Sequence, residues 1–294
     1  MRRVLLVVNP VATRTREPIE RRVVAVMEEA GCQVEVVRTN GPEHTAEAAK
    51  AGAQDSADVV AVYGGDGTIM KAVGGIIDHD VPIGLIPGGT GNVLAGNLRL
   101  PKDPVEAARI VATGSPRFID LGEMKQGDLV QYFSVACGSG FDADVMMHTS
   151  TEAKRKYGVL AYLARAFRLV SQIRPVRYDI TIDGTKHEID AVSVVVANCG
   201  EFIPGWAQLG PNISFDDGEL DILTFYAEGV LESLRVGLKL FLKKHDVDKV
   251  RQFKGREVML EAKPDRPAQV DGDSSGFTPL EVKVLPKRLA VMMP

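Results

Sequence analysis

Cysteine is scarce in this chain: Cys32, Cys137 and Cys199 are the three among 294 residues, far apart and without a Cys-x-x-Cys pair. That argues against a disulfide framework or a cysteine zinc site and fits a reducing compartment. The five histidines are equally scattered and show no metal-ligand spacing. No apolar run reaches the ~18 residues that would span a bilayer. Met1-Arg2-Arg3 is followed by a short apolar run, Val4 to Val8, before Asn9-Pro10, too little for a signal peptide. Neither charge dominates: 35 Lys and Arg stand against 39 Asp and Glu, a net charge of −4, so no global basic field points to nucleic acid. A cytoplasmic location is expected.

What is present is an ordinary globular composition, 45% hydrophobic and 25% charged. At 294 residues the chain suits two domains rather than one core. Its organising stretch is Val59 to Leu98, where one design occurs twice. A short apolar run (Val59 to Tyr63, then Pro82 to Ile86) enters a glycine-rich turn, and a helix-compatible segment follows. All-apolar runs of that length read as strands buried on both faces, as in a parallel sheet.

The first turn is Gly64-Gly65-Asp66-Gly67-Thr68. Its glycines permit positive φ and let a ligand approach the backbone without a Cβ in the way. A helix beginning near Ile69 would aim free N–H groups at an anion such as phosphate. Asp66 would repel that phosphate unless a cation lay between, which a magnesium-bound nucleotide supplies. The plain alternative, a strand-to-helix turn with Asp66 as N-cap, stays open for this motif alone. The second turn, Pro87-Gly88-Gly89-Thr90-Gly91-Asn92, weighs against it, because two such turns at strand C-termini line one crevice.

These two motifs together resemble the diacylglycerol kinase catalytic domain family, which includes bacterial lipid kinases and sphingosine kinases. The resemblance runs over nearly the whole chain. It implies an N-terminal doubly wound α/β nucleotide domain with a parallel sheet, over residues 1–121, and a C-terminal antiparallel β-sandwich for the lipid, over 122–285. The last segment, 286–294, would return to the first domain.

The residue pattern agrees with that division. Val4 to Val8, Val34 to Val37 and Val59 to Tyr63 alternate with helices expected over 18–30 and 43–52, giving right-handed crossovers. Loops starting at Asn9, Thr39 and Gly64 should then open on one side. A helix over 101–114 and a strand over 117–122 carrying Asp120 follow. Beyond about Leu121 strands succeed one another without long crossover helices: 129–136, 177–182, 188–197, 220–226, 257–262, 268–270 and 280–284, with 289–293 as the last. Asp183-Gly184 is a hairpin signal.

The resemblance assigns nucleotide binding to Asn9, Thr39, Gly64, Gly65, Asp66, Gly67, Thr68, Gly89, Thr90 and Asn92, with ATP and Mg²⁺ as cofactors. In the first loop the family's glycine is absent, and Arg14 or Arg16 could reach phosphate in place of a lysine. Asp271-Gly272-Asp273 matches the family's Asp-Gly-Glu, so Asp271 and Asp273 take the base and metal roles, without a decision between them. Asp273 is one methylene shorter than the family's Glu. Loss of either acid is expected to leave folding nearly intact. Asp216-Asp217-Gly218-Glu219-Leu220-Asp221 resembles a segment that holds a structural Mg²⁺. The Ser214 carbonyl, the Asp217 side chain and the Glu219 carbonyl would be the ligands, with Asp216 and Asp221 in reserve; Asp120 would support the metal region.

The implied activity is ATP-dependent phosphorylation of a lipid hydroxyl, diacylglycerol or a related alcohol. Val93, where many diacylglycerol kinases have aspartate, keeps sphingoid-base or ceramide kinases open. An NAD-kinase-like enzyme and a non-catalytic nucleotide- or lipid-sensing module are further readings. The partner expected is the lipid substrate, with a homodimer left open. The segment 151–177 carries seven Lys and Arg against Glu152 alone, and a helix over 231–245 ends in lysines. Packed amphipathic helices explain both; peripheral contact with the inner membrane face is the sharper reading.

Overall fold

The structure, a computed structural model of the chain, describes residues 1–140, 174–227 and 249–294. The expected helix over 231–245 and all of the basic segment but residues 174–177 lie outside them. The described chain forms two compact units: Met1–Ile119 with Lys287–Pro294, and Asp120–Pro286.

The first unit runs β1 (Arg3–Val8), α1 (Glu17–Glu29), β2 (Gln33–Arg38), α2 (Pro42–Gln54), β3 (Val59–Gly64), α3 (Asp66–Ile76), β4 (Ile83–Pro87), α4 (Val93–Asn97) and α5 (Pro104–Thr113). The strands lie parallel in the order β2-β1-β3-β4. Alternate residues of β1 serve opposite faces, as the two-residue strand period requires. Val4, Leu6 and Val8 join Val23, Met27, Ala108 and Val111 in a core under α1 and α5. On the other face Leu5 meets α2 so closely that a Cβ on Gly52 would stand 2.2 Å from it. A doubly wound sheet results.

Strand register fixes where the loops leave. Val8 lies opposite Arg38 and Tyr63, and Gly64 lies opposite Pro87. Three backbone bonds continue across that edge: Thr39 N–H to the Val8 carbonyl (2.9 Å), Asn9 N–H to Tyr63 (3.0 Å) and Gly88 N–H to Gly64 (2.7 Å). The loops after β1, β2, β3 and β4 therefore open together.

β5 (Ser115–Gln126) leads into the second unit, which continues with β6 (Leu129–Phe133), β7 (Ala136–Gly140), β8 (Val176–Ile182), β9 (Thr185–Ala191), β10 (Ser193–Ala197), β11 (Glu201–Ile203), β12 (Ala207–Gln208), β13 (Leu220–Phe225), β14 (Val250–Gly255), β15 (Glu257–Lys263), β16 (Pro267–Val270), β17 (Asp273–Phe277) and β18 (Leu280–Met293). An antiparallel sheet β14-β13-β10-β7-β16-β17 shares an apolar core with β8, β9, β15 and the start of β18: Tyr178, Ile180, Val194, Val196, Ile222, Leu260 and Val282 are all buried in it. That is a sandwich.

Several expected boundaries shift. The strand expected over 188–197 divides at Val192, whose N–H bonds to Phe225, so β9 stays beside β8 while β10 joins the other sheet. The strands expected over 280–284 and 289–293 are one continuous strand, β18, whose Val291 pairs in parallel with Ile83. Asp183 and Gly184 adopt φ of 47° and 81°, the hairpin turn their sequence signals.

Candidate functional site

Chemistry-bearing residues gather in two constellations, one in each unit. In the first unit, β3 delivers Gly64 and Gly65 to the sheet edge, and α3 begins at Asp66. Glycine is required here, but not for positive φ: none of Gly64, Gly65, Gly88 and Gly89 adopts it. The two turns pack backbone on backbone instead. A Cβ on Gly89 would stand 2.7 Å from the Gly65 Cα, and one on Gly88 would stand 3.1 Å from the Gly64 Cα. The glycines expected to admit a ligand thus first admit each other.

The side chains around them complete the lock. Asn92, in the left-handed region at φ 47°, clamps the second turn: its Oδ1 accepts from the Gly89 N–H (2.9 Å) and its Nδ2 donates to the Gly89 carbonyl (2.8 Å). Asn9 Nδ2 donates to Thr68 Oγ1 (2.8 Å), tying the first loop to α3. Asp66 is not an N-cap. It is the first residue of α3, and its Oδ1 accepts from the Leu94 N–H (3.1 Å). Among the described residues no hydrogen bond reaches its Oδ2, which lies beside Gly91. Thr39 turns inward, its buried hydroxyl donating to the Val8 carbonyl.

The first loop adds residues from outside the two glycine motifs. Thr13 and Thr90, both exposed, bring their hydroxyls to 3.3 Å. The Arg14 N–H donates to the Gly88 carbonyl (2.8 Å), and Tyr63 Oη donates to the Arg14 carbonyl (2.9 Å). Thr15 Oγ1 is buried beside Gly88, without a hydrogen-bond partner among the described residues. The guanidinium groups of Arg14 and Arg16 are exposed and make no ion pair among the described residues. The surroundings therefore offer hydroxyls, backbone and unpaired positive charge, with a carboxylate oxygen of Asp66 to spare. That chemistry suits a polyphosphate carried with a cation.

In the second unit Asp271 and Asp273 share the β16–β17 turn but differ in surroundings. Asp271 sits at φ 45° with its carboxylate over the β6–β7 connection. It accepts from Ser134 N–H (2.9 Å), Ser134 Oγ (3.1 Å), Val135 N–H (2.9 Å) and Ala136 N–H (3.0 Å). Burial pushes its pKa up to about 6, against the pull of those four donors, which favour the charged form. Such a network makes it unfit for the expectation that its loss would leave folding intact. Asp273 is exposed, and among the described residues no group bonds to its carboxylate. Asn198, fully buried at the end of β10, donates to the carbonyls of Asp120 (3.0 Å) and Ser134 (2.9 Å) and so braces the strand that feeds Asp271. A polar residue closing the apolar run Ser193–Ala197 was the available signal for it.

The expected structural Mg²⁺ fares differently. Ser214, Asp217 and Glu219 do share one loop. Both oxygens of Asp217 are engaged, however: Oδ2 accepts from Lys254 Nζ (2.5 Å) and Oδ1 from the Glu219 N–H (3.2 Å). Ser214 Oγ donates to Asp216 (2.6 Å). Asp221 is fully buried, with Gln252 Nε2 on Oδ1 (2.7 Å) and Lys254 Nζ 3.6 Å from Oδ2. Burial raises its pKa, opposed by the Gln252 bond and the Lys254 charge. Asp120, also buried, accepts from the Gly218 N–H (2.7 Å) and so holds this loop rather than a metal. An ammonium already against the one carboxylate ligand means that these residues do not fit a divalent ion.

Residues 3–124 match the diacylglycerol kinase catalytic domain family, and residues 135–293 match the YegS C-terminal NAD kinase beta sandwich-like domain. The chain belongs to this kinase family. The diacylglycerol kinase of Bacillus subtilis (strain 168) is 28% identical over 303 residues, an alignment covering 100% of this chain and 97% of the relative. An uncharacterized protein of Synechocystis sp. is 28% identical over 236 residues; the match covers 79% of this chain and about half, 54%, of that longer protein. A crystal structure from Bacillus anthracis str. Sterne superposes with a TM-score of 0.82 at 25% identity, covering 99% of this chain and 95% of the other. Family membership makes the chain a kinase of lipid-kinase type. Among the described residues no helix is long and apolar enough to cross a membrane.

Proposed function

We propose that this kinase transfers the γ-phosphoryl group of ATP to the hydroxyl of a lipid alcohol, diacylglycerol or a close relative. The observation that carries the reading is the interlocked pair of glycine turns at the strand edge, with Thr13, Thr90, Arg14 and Arg16 exposed around them. Phosphoryl transfer asks a protein chiefly to position the phosphates and neutralise their charge. Backbone-locked turns hold the surrounding hydroxyls at fixed places, and the two arginines supply positive charge at their rim. Magnesium brought in with the nucleotide would neutralise phosphate charge, with the open Asp66 oxygen as its protein contact.

The acceptor hydroxyl must lose a proton as it attacks. Asp273 is the better base, because its carboxylate is exposed and unoccupied. Asp271, with four donors on its oxygens, is a positioning residue that fixes the turn carrying Asp273. Diacylglycerol is favoured because the Bacillus subtilis relative that spans the whole chain carries that name. The test is label transfer from γ-labelled ATP to diacylglycerol, monoacylglycerol, sphingosine, ceramide and phosphatidylglycerol in mixed micelles, with NAD as a soluble acceptor. Label in diacylglycerol is expected. Label in a sphingoid lipid or in NAD would name a different acceptor, and ATP binding without any transfer would favour a sensing module.

A further inference from the structure

We propose that Lys254 is the resident cation of the Ser214–Asp221 loop, so that the second unit folds and persists without a divalent ion. Strand pairing places the lysine there: Asp221 on β13 lies directly opposite Lys254 on β14. The ammonium then bridges two carboxylates, at 2.5 Å from Asp217 Oδ2 and 3.6 Å from Asp221 Oδ2. Asp221 is fully buried and its Oδ2 receives no hydrogen bond among the described residues, so beyond Gln252 it is the fixed positive charge of Lys254 that compensates it. A buried carboxylate without such a partner would be strongly destabilising.

A magnesium ion cannot share the place. It requires oxygen ligands at about 2.0–2.1 Å in near-octahedral array. Seated on Asp217 Oδ2, it would stand within a few ångströms of the ammonium and repel it. The Asp217 Oδ1 is meanwhile turned to the Glu219 N–H, and Gly218 is held by Asp120, so protein groups from the loop and from neighbouring strands give it its shape. One ammonium does the work that a doubly charged ion would do, with part of its hydration retained because the lysine is 36% exposed.

Thermal unfolding of the full chain in EDTA and in millimolar MgCl₂, with neither nucleotide nor lipid present, tests this apart from any kinase activity. The wild-type midpoint should move by less than about 1 °C. An ion bound at a hundred times its dissociation constant would instead raise it on the order of 5–10 °C; such a rise, lost in Asp217→Asn, would overturn the proposal. Lys254→Met should lower the midpoint in EDTA by about 5 °C or more. A Lys254→Met protein as stable as wild type in EDTA would equally contradict it. Magnesium analysis of the purified wild-type chain supplies a readout that needs no variant: stoichiometric metal retained through gel filtration would also sink the idea.

Discussion

In the first unit the turns are held by backbone against backbone, with Gly65 under Gly89 and the Asn92 amide clamping one peptide. In the second unit carboxylates do the holding: Asp271 gathers the N–H groups of residues 134–136, Asp183 those of Arg256 and Glu257, and Asp120 that of Gly218. The two solutions leave different groups over. Turns locked chiefly by glycine backbone and an amide, with Asp66 spending one oxygen on Leu94, leave an environment of hydroxyls and arginines that tolerates phosphate. On the β16–β17 turn that Asp271 locks, Asp273 keeps its carboxylate exposed and unoccupied among the described residues. Which acids are engaged, rather than how many there are, separates the structural from the chemical ones.

The strongest way to break that contrast is to neutralise the unoccupied acid. Asp273→Asn should reduce lipid phosphorylation by about 10³-fold, the middle of the range for removing a general base, with the unfolding midpoint moved by less than about 1 °C. A rate within tenfold of wild type, measured under saturating substrates, would assign the base elsewhere. Asp271→Ala should behave oppositely and lose about 3 kcal/mol of stability in denaturant titration, because several buried N–H groups lose their acceptor together. Unchanged stability would show that the nest over 134–136 closes without it.

Gly89→Ala tests the backbone lock. Its Cβ would meet the Gly65 Cα at 2.7 Å, so the turns must part. Steady-state kinetics should show kcat/KM for ATP down about 100-fold, as expected when positioned groups shift by an ångström. Wild-type kinetics would mean that the turns accommodate the methyl group.

The smallest effect is a pH dependence in which activity and stability move apart. The Asp271 pKa is raised from 3.8 to about 6 in the folded chain. The folded form therefore binds that proton more tightly, and its contribution to stability is present below the unfolded pKa and lost as pH rises through the folded one. Activity should run the other way, because a protonated Asp271 cannot accept from all four donors. Comparison of wild type with Asp271→Asn should show a stability difference that changes between pH 4 and pH 6, alongside a wild-type rate with an acid limb near the upper end of that window. A wild-type rate flat across it would remove Asp271 from the active form.

Much of this was legible in sequence because it is local. Gly64-Gly65-Asp66-Gly67-Thr68 and Pro87-Gly88-Gly89-Thr90-Gly91-Asn92 are contiguous, and the all-apolar runs before them predict the parallel strands. That the two turns line one crevice was legible, but their contact was not, because the close approach joins Gly65 to Gly89 and Thr13 to Thr90, contacts that only strand register sets. Asp271 takes its donors from residues up to 137 positions away, so no spacing rule could separate it from Asp273. Lys254 illustrates the same limit. The acidic run 216–221 reads alone as a cation site, and its cation is supplied by the neighbouring strand.

The most direct measurement of the central claim is label transfer from γ-labelled ATP to diacylglycerol in mixed micelles, run in parallel for wild type and Asp273→Asn with ATP binding measured on both. Labelled lipid is expected from the wild type, almost none from the variant, and equal nucleotide binding from both. Equal transfer by both proteins, or no transfer by a wild type that binds ATP, would contradict it.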